Sequence, residues 1–465
     1  MKPLLLALLF PSLLLAQEKN RFNLPETPAQ PRFKVTDQVW PQKPGEADLC
    51  LWHDDKLAAL SLGVDDNNAG DIDWWKEQAQ LHNFRVTWFV ITGRVDHNRS
   101  VGYWKQFNEL QQLGHDIQSH SVTHLHMLDL DWGTPAWNYA KASAALPPPP
   151  PRTASGEGAD PAQPQPAGQG TSAPKSAPAK SATSTPAPSP PSDGFILPTA
   201  PPPAADSAPS PAAPAAPPVR SRYHPSPSLL TLNPEQIATG ILWEYQQSKA
   251  QIEQHMPDKL CSVLAYPGGG FTKYNDRTIA AKIYRTGRGA RGAPNAANQI
   301  DYLSTSAMSS WTFEAGKFPW GNVNNILDPA LYNGRYYRGW LVLFSHQANK
   351  PLLEQTFKFI DDHREKLWIG LYADVAKYGQ ERDTATLKVD SSDPNKITLL
   401  LTDEMDDTYF NYPLTIKVRL PDPWKTPTAT QAGKTVEVKL ITHENSPYAL
   451  VQATPDAGPI TLTNQ

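Results

Sequence analysis

Short apolar runs alternate with helical periods over much of the chain, and this alternation most restricts its possible folds. AALSLGV at 58–64 has the pattern of a buried strand, and DIDWWKEQAQLH after it has the period of an amphipathic helix. FRVTWFVITG and YWKQFNELQQLG repeat the same succession further along the chain. Strands that alternate with helices are typical of a parallel sheet or barrel. We therefore predict an α/β domain over residues 51–378.

A proline-rich stretch interrupts this alternation between residues 146 and 227, where Pro, Ala and Ser dominate the sequence. The chain has 48 prolines among its 465 residues, roughly twice the average usage of about 5%. A segment of this composition has too few apolar side chains to bury a core. Because the α/β pattern resumes at Asn233, we predict that 146–227 is a disordered insert on the surface of the domain.

The N-terminal residues 1–16, MKPLLLALLFPSLLLA, combine a lysine with an apolar run and end in alanine. This pattern predicts a signal peptide, because the run is too short to cross a bilayer comfortably. We expect an exported protein, periplasmic or secreted, without a transmembrane segment in its mature part. Residues 17–50 are polar and contain several prolines, which predicts an irregular lead-in.

Charge and cysteine content narrow the possible partners and chemistry. The formal net charge of −4 gives no indication of binding to nucleic acid or to an anionic membrane. Cys50 and Cys261 lack the spacing of a metal or redox motif. They could form a disulfide in an oxidising compartment, and two separate buried thiols are an equal alternative. The sequence leaves protein partners and the oligomeric state open.

The apolar period changes in the last part of the chain, from residue 384 to 465. LTIKVRL and TVEVKLI alternate apolar and polar residues, and Pro, Gly and Asn separate such runs. This pattern predicts a small antiparallel β-sandwich as a C-terminal domain. Four aromatic residues there, if exposed, would permit contact with carbohydrate, although packing is the preferred interpretation. They are Tyr409, Phe410, Tyr412 and Trp424.

Three polar clusters directly follow predicted strands. GVDDNN places Asp65 and Asp66 after the first strand, and GWLVLFSH ends in His346. GHDIQSHSVTH holds His120 and His124 four residues apart, a spacing that would place both imidazoles on one face of a helix. Catalytic groups of parallel barrels lie at the carboxyl ends of the strands, so we expect the three clusters to converge.

Each cluster also has a structural interpretation. A pair of aspartates after a strand often caps the next helix, and a histidine that ends an apolar strand is often a satisfied core residue. DDNNAGD could also bind calcium, although it lacks the spaced ligands of an EF-hand. Convergence at one edge favours a functional site, with His115 and His126 as surface residues or neighbours of the ligands.

Five segments occur in an order that resembles the polysaccharide deacetylase family, which has a NodB-type domain (carbohydrate esterase family 4). They are SLGVDDNN, VTWFVITG, GHDIQSHSVTH, LAYPGGG and LVLFSH. The resemblance covers roughly residues 50–378 without the insert, and HSVTH with the upstream GHDIQS is its most specific part. It implies a deformed (β/α) barrel.

The resemblance also implies a reaction and the residues that perform it. The implied ligands of a divalent metal, usually zinc with cobalt, nickel or manganese as alternatives, are Asp66, His120 and His124. Such an ion would lower the pKa of water and polarise an acetyl carbonyl. Asp65 would be the general base and His346 the general acid. The backbone N–H of Gly268 would donate to the developing oxyanion.

Two positions depart from the family pattern. Family members commonly have glycine, often followed by proline, after the aspartate pair, where this chain has Asn67 and Asn68. Many carry an arginine in the third motif that steadies the base, and Ala265 occupies that position here. Arg288 and Arg291 in TGRGARG could supply charge near the acid histidine from a different loop.

The leading hypothesis is a metal-dependent hydrolase that removes acetyl groups from a polysaccharide, with N-acetyl favoured over O-acetyl. An acetylated polysaccharide or oligosaccharide would be its partner. A carbohydrate-binding protein on the same barrel, with weakened catalysis, is the alternative, motivated by the two departures. An acetylxylan esterase is less favoured, and so is a non-haem iron enzyme, which also uses two histidines and one carboxylate.

Overall fold

The computed structural model describes residues 35, 37–124, 234–269, 276–309 and 320–464. The predicted signal peptide, the predicted insert and His126 lie outside these residues. No helix in the described part of the chain is long and apolar enough to cross a membrane.

Eight of the first nine strands in chain order supply the sheet that carries the site, and the first strand belongs to the C-terminal sandwich. The nine strands are β1 (Ala47–Leu49), β2 (Ala58–Val64), β3 (Thr87–Val90), β4 (Asp116–Ser119), β5 (Val263–Ala265), β6 (Thr286–Arg288), β7 (Met308–Ser309), β8 (Trp340–Ser345) and β9 (Leu367–Ile369). Strands β2 to β9 form a parallel sheet in the order β6-β5-β4-β3-β2-β8-β7, with β9 paired to β2. Every residue of β2 is buried, as its continuous apolar run predicts.

The two edges of this parallel sheet meet, so the sheet curls into a deformed barrel. A parallel bridge joins Arg288, at the end of β6, to Thr305, shortly before β7. The N–H of Gly289 donates to the carbonyl of Thr305 at 2.8 Å, and the N–H of Gly292 donates to that of Ala307 at 3.0 Å. The predicted (β/α) barrel is confirmed.

Seven α-helices pack in the α/β part of the described chain. They are α1 (Ile72–Leu81), α2 (Trp104–Gln112), α3 (Pro234–His255), α4 (Asp276–Ala281), α5 (Trp320–Leu327), α6 (Lys350–Asp362) and α7 (Tyr372–Thr384). In α1 the buried residues Ile72, Trp75 and Ala79 recur at the spacing of one helical face. Trp75 packs edge-on against Phe357 of α6, with ring centroids 5.8 Å apart.

Two antiparallel sheets form the C-terminal sandwich, which is also confirmed. The remaining strands are β10 (Thr386–Asp393), β11 (Lys396–Thr402), β12 (Leu414–Arg419), β13 (Pro427–Gln431), β14 (Lys434–Val436), β15 (Val438–His443), β16 (Ser446–Ala453) and β17 (Ile460–Asn464). The sheet orders are β1-β12-β16-β15 and β10-β11-β17-β13-β14. Apolar side chains of the sandwich and of one side of the barrel belong to the same buried cluster.

This architecture corrects one expectation from the sequence and decides between the alternatives for two others. The lead-in at 17–50 is not irregular throughout, because β1 pairs with β12 as an edge strand of the sandwich. Phe410 and Trp424 are buried rather than exposed, so packing accounts for both. Cys50 and Cys261 are buried free thiols, which corresponds to the second of the two alternatives for them.

Candidate metal centre

Side chains from three strand ends meet at the carboxyl edge of the barrel. Asp65 and Asp66 follow β2, His120 and His124 follow β4, and His346 follows β8. Oδ1 of Asp66 lies 3.3 Å from Nε2 of His120 and 3.3 Å from Nε2 of His124. Oδ2 of Asp66 lies 3.7 Å from Nε2 of His346. One potential ligand atom from each of Asp66, His120 and His124 falls within 4.8 Å of the other two, close enough to share one ion.

The two histidines reach Asp66 from a loop and not from a helix, so the helical interpretation of their spacing is wrong. Strand β4 ends at Ser119, and 120–124 form a loop. Ser121 and His124 adopt left-handed backbone conformations there, with φ of +62° and +60°. The tight loop brings the two imidazole rings together with centroids 4.8 Å apart and planes at 77°.

Asp66 has a carboxylate oxygen that is available to a cation. Its Oδ1 is buried and accepts no hydrogen bond from the residues that the structure describes. Burial alone would raise the pKa of Asp66, but the imidazoles of His120, His124 and His346 outweigh it and hold this pKa below its ordinary value. An ionised carboxylate beside two imidazole nitrogens is a donor set that zinc prefers. The residues present therefore fit a divalent metal.

The orientation of His120 is fixed by a backbone carbonyl on the neighbouring strand. Its Nδ1–H donates to the carbonyl oxygen of Ala265, at the end of β5, over 2.8 Å. This hydrogen bond turns Nε2 towards Asp66, where it could bind a metal ion in the neutral form of the ring. A metal-binding histidine is commonly oriented in this way.

Arg288 supplies a positive charge close to position 265, where this chain has alanine and many family members have arginine. The two residues are register partners on β5 and β6, so the arginine stands one strand away from the expected position. Its guanidinium donates to Oδ2 of Asp65, and both side chains are almost completely buried. It also packs over the ring of Phe344 at 4.2 Å. The structure thus places Arg288 on the proposed base, whereas the sequence suggested a role near the acid histidine.

The structure accounts for asparagine at position 67, where family members commonly have glycine. The φ of Asn67 is +55°, a left-handed conformation that glycine adopts freely and that asparagine tolerates better than most residues. Its buried side chain donates from Nδ2 to the carbonyl of Ile91 at 3.0 Å and accepts from the N–H of Ile91 at 2.6 Å. Asn68 donates to the carbonyl of Asp65 at 2.6 Å. Both asparagines hold the loop that carries the aspartates.

The remaining predicted residues of this region are His346, Gly268 and His115. The side chain of His346 is partly exposed, and its Nε2 lies 3.7 Å from Oδ2 of Asp66. Gly268 follows β5 with φ of +68° and is exposed, so its role as an oxyanion donor stays a prediction. His115 is a buried histidine and not a surface one: its Nδ1 accepts from the N–H of Val86, and burial together with Arg85 lowers its pKa to about 4.

Sequence reasoning missed Glu244, a completely buried residue of α3. Its carboxylate accepts hydrogen bonds from the N–H groups of Val122 and Thr123, between the two histidines. The sequence could have revealed Glu244, because it is an acidic residue within the apolar stripe of Ile241 and Tyr245. A charge on a buried helix face needs hydrogen-bonding partners.

Comparison with known proteins finds sequence similarity to a family over part of the chain and to a curated protein over most of it. A sequence model of the polysaccharide deacetylase family matches residues 79–146. A gellan lyase from a Bacillus species is 28% identical over 466 residues, which cover 95% of this chain. The chain spans only 14% of the length of that relative.

Similar solved structures include a putative polysaccharide deacetylase from Mycobacterium smegmatis, with 10% identity, 75% of this chain and 96% of that chain covered, and a TM-score of 0.36. A Streptococcus pyogenes deacetylase in complex with acetate is 15% identical, and the match covers 53% of this chain and 62% of that chain with a TM-score of 0.27. A CE4 family pseudoenzyme from Bacillus anthracis is 10% identical, and the match covers 70% of this chain and 66% of that chain with a TM-score of 0.32. Because these TM-scores are below 0.5, the resemblance rests on the family match. Residues 79–146, which include the two candidate ligands His120 and His124, resemble the polysaccharide deacetylase family.

Proposed function

We propose that this protein is a metal-dependent hydrolase that removes acetyl groups from a polysaccharide. The observation that carries the proposal is that two imidazole Nε2 atoms lie 3.3 Å from a buried oxygen of Asp66, which accepts no hydrogen bond within the described part of the chain. Such an oxygen is costly unless a cation or a donor occupies the space beside it. The match to the polysaccharide deacetylase family supports acetylated carbohydrate as the substrate.

Asp66, His120 and His124 would hold the ion, with zinc as the preferred metal. Three protein ligands leave coordination positions open, which is typical of catalytic and not of structural zinc. When bound, the ion would lower the pKa of water and polarise the acetyl carbonyl.

Asp65 would accept the proton of the attacking water. Arg288 donates to Oδ2 of this carboxylate, and Oδ1 is buried and has no hydrogen-bond partner among the described residues, so we assign Oδ1 as the proton acceptor. Two adjacent aspartates can hold different roles because only one of them would contact the cation.

His346 would give a proton to the leaving amine, and the N–H of Gly268 would donate to the oxyanion. The partial exposure of His346 allows a polymeric substrate to approach it from solvent. The preference for N-acetyl over O-acetyl groups follows from the family resemblance. Export, by the predicted signal peptide at 1–16, is part of the same proposal.

A carbohydrate-binding protein without turnover is less well supported than it was by sequence alone. The sequence suggested this function because the third motif lacks an arginine and because asparagines follow the aspartate pair. Arg288 and Asn67 give both departures a place in an ordered site. The parallel barrel likewise gives no support to a non-haem iron enzyme, which the sequence made the least favoured alternative.

The test is acetate release from chitooligosaccharides, peptidoglycan and acetylxylan, with and without a chelator. We expect release from an N-acetylated substrate, loss of release with the chelator, and recovery on addition of zinc. Asp65→Asn should reduce release by about 10²- to 10⁴-fold, the usual contribution of a general base, with unchanged glycan binding. If wild type releases no acetate with zinc, cobalt or manganese, yet binds glycan as tightly as the variant, the binding function is correct instead.

A further inference from the structure

Glu244 is a carboxylate buried in the middle of helix α3, where the neighbouring positions on the same face pack into the core. Ile241, Tyr245 and Ser248 share this face, and all three are buried. Burial of a carboxylate among such residues is unfavourable unless hydrogen-bond donors surround it. The position therefore calls for a specific set of donors.

Those donors come from the loop that carries the two proposed metal ligands. Oε2 of Glu244 accepts from the N–H of Val122 at 2.8 Å and from the N–H of Thr123 at 2.9 Å. Oε1 accepts from the hydroxyl of Thr123 at 2.8 Å. Because Val122 and Thr123 lie between His120 and His124 in the chain, one carboxylate binds the centre of the loop through three hydrogen bonds.

The conformation of this loop needs external support. Ser121 and His124 have φ of +62° and +60°, a region that residues other than glycine adopt rarely. Such conformations persist where surrounding contacts fix them. The contacts of Glu244 fall on the two residues between these strained positions.

A second contact from the same helix fixes the start of the loop. The hydroxyls of Ser248 and Ser119 share a hydrogen bond of 2.8 Å, and Ser119 is the last residue of β4. Ser248 lies one turn after Glu244, so both contacts come from one face of α3. Helix α3 thus binds the loop at its start and at its centre.

We propose that Glu244 is a positioning residue of the metal centre, which holds the loop 120–124 so that His120 and His124 face Asp66. This inference rests on the proposed metal-dependent function. Glu244 acts through backbone and hydroxyl groups of the loop and not through contact with a reacting atom. In the sequence, the predicted insert at 146–227 separates the loop from α3, so the site is complete only after the chain on the far side of that segment has docked.

The test compares Glu244→Gln with Glu253→Gln in the full-length protein. Glutamine keeps the shape but presents an NH₂ group to the donors of the loop. Glu253 lies on the same helix and binds Lys249 and the N–H of Cys261 instead, so its substitution is a matched control. Zinc affinity, measured by competition with a chelating indicator, should fall about 10- to 100-fold in Glu244→Gln, as for other partners that orient metal ligands. The control should bind zinc as wild type does.

Two further readouts separate positioning from general stability. Amide hydrogen exchange at 122 and 123 should become faster in Glu244→Gln and not in the control, whether or not metal is present. At saturating zinc, Glu244→Gln should recover most of its acetate release. If this variant does not fold, Thr123→Val, which removes only the hydroxyl bond, should weaken zinc binding several-fold.

The outcomes distinguish this inference from the function on which it rests. Zinc affinity and exchange equal to those of the control would overturn the role of Glu244. If wild type binds no zinc but exchange at 122 and 123 still accelerates in Glu244→Gln alone, the loop contact is supported and the proposed function is wrong.

Discussion

Two buried polar regions of this molecule differ in how their charges are satisfied. At the junction of barrel and sandwich, Lys417 donates to the carbonyl of Val39 at 2.8 Å and lies 2.5 Å from a carboxylate oxygen of Asp55. Arg382, also buried there, donates to the carbonyl of Leu51 at 2.9 Å. The cations of the junction thus bind acceptors of the protein itself.

At the carboxyl edge of the barrel, two buried acceptors have no hydrogen-bond donor among the residues that the structure describes. They are Oδ1 of Asp65 and Oδ1 of Asp66. A buried polar group with protein partners specifies packing, whereas one without them points to a ligand. The junction therefore satisfies its charges within the protein, whereas at the carboxyl edge we propose that an ion takes the place of the missing donor.

The largest expected effect is that of Asp66→Asn, which removes the charge that the ion would neutralise. Acetate release should fall by about 10⁴-fold, or roughly 5.5 kcal/mol of transition-state stabilisation. Zinc should no longer raise the melting temperature, because the variant loses the linkage between binding and folding. Asp73→Asn, at an exposed position in α1, is the control and should behave as wild type. If zinc still stabilised Asp66→Asn, the proposed difference between the junction and the carboxyl edge would be wrong.

The next effect concerns stability alone and belongs to the junction. Lys417→Met leaves the carboxylate of Asp55 buried without its partner and should lower the free energy of unfolding by about 3 kcal/mol or more. Lys439→Met removes a half-exposed lysine 3.7 Å from Asp54 and should cost at most about 1 kcal/mol. Denaturant unfolding measures both. Zinc affinity should not change in either variant, and a loss of affinity in Lys417→Met would show that the two regions are coupled.

A smaller effect on catalysis is expected at Arg288, whose guanidinium orients Asp65. Arg288→Lys keeps the charge but loses the planar donor geometry, so acetate release should fall about 10- to 100-fold. Arg291→Lys is the control, because Arg291 is exposed and donates to the hydroxyl of Ser304. Steady-state rates at saturating zinc measure the difference. Equal rates for the two variants would contradict the assignment of Arg288 to the base.

Measured per pH unit, the smallest effect is a pH dependence of stability that arises at the junction. Burial raises the pKa of Glu381 from its ordinary value of 4.5 to about 9, against the opposing hydrogen bond from the N–H of Tyr412. Asp403 and Asp407 raise this pKa further, and Lys377 lowers it. Between these two pH values the folded protein keeps a proton that the unfolded chain loses, so the free energy of unfolding falls as pH rises. The slope from this group is at most about 1.4 kcal/mol per pH unit.

Glu381→Gln should remove this contribution, since glutamine does not titrate and can still accept from the N–H of Tyr412. Its stability advantage over wild type should be absent near pH 4.5 and should grow towards pH 9. Urea unfolding at several pH values checks the trend. Two parallel stability curves would mean that the carboxyl group is ionised in the folded junction.

The sequence predicted the barrel, the sandwich and the strand ends at which polar residues gather. These predictions succeed because the apolar period reports burial, and because parallel strands bring their carboxyl ends to one edge. Asp66, His120 and His124 could be placed together on this basis, before any distance was known.

Other features depend on tertiary contacts that one sequence does not specify. The loop at 120–124 bends through left-handed residues held by a helix more than a hundred positions away in the chain, so the helical interpretation of its spacing was wrong. Arg288 reaches Asp65 only because β5 and β6 pair with Ala265 opposite it. Strand β1 forms because β12 offers a free edge to a segment that is polar in sequence.

The most direct test of the account is the position of zinc in a crystal of the protein, located from anomalous diffraction at the zinc absorption edge. We expect one ion about 2.0 to 2.2 Å from Oδ1 of Asp66 and from Nε2 of His120 and His124, at the distances typical of zinc ligands. A crystal with zinc bound elsewhere, or with no zinc beside these three atoms at saturating concentration, would contradict the account.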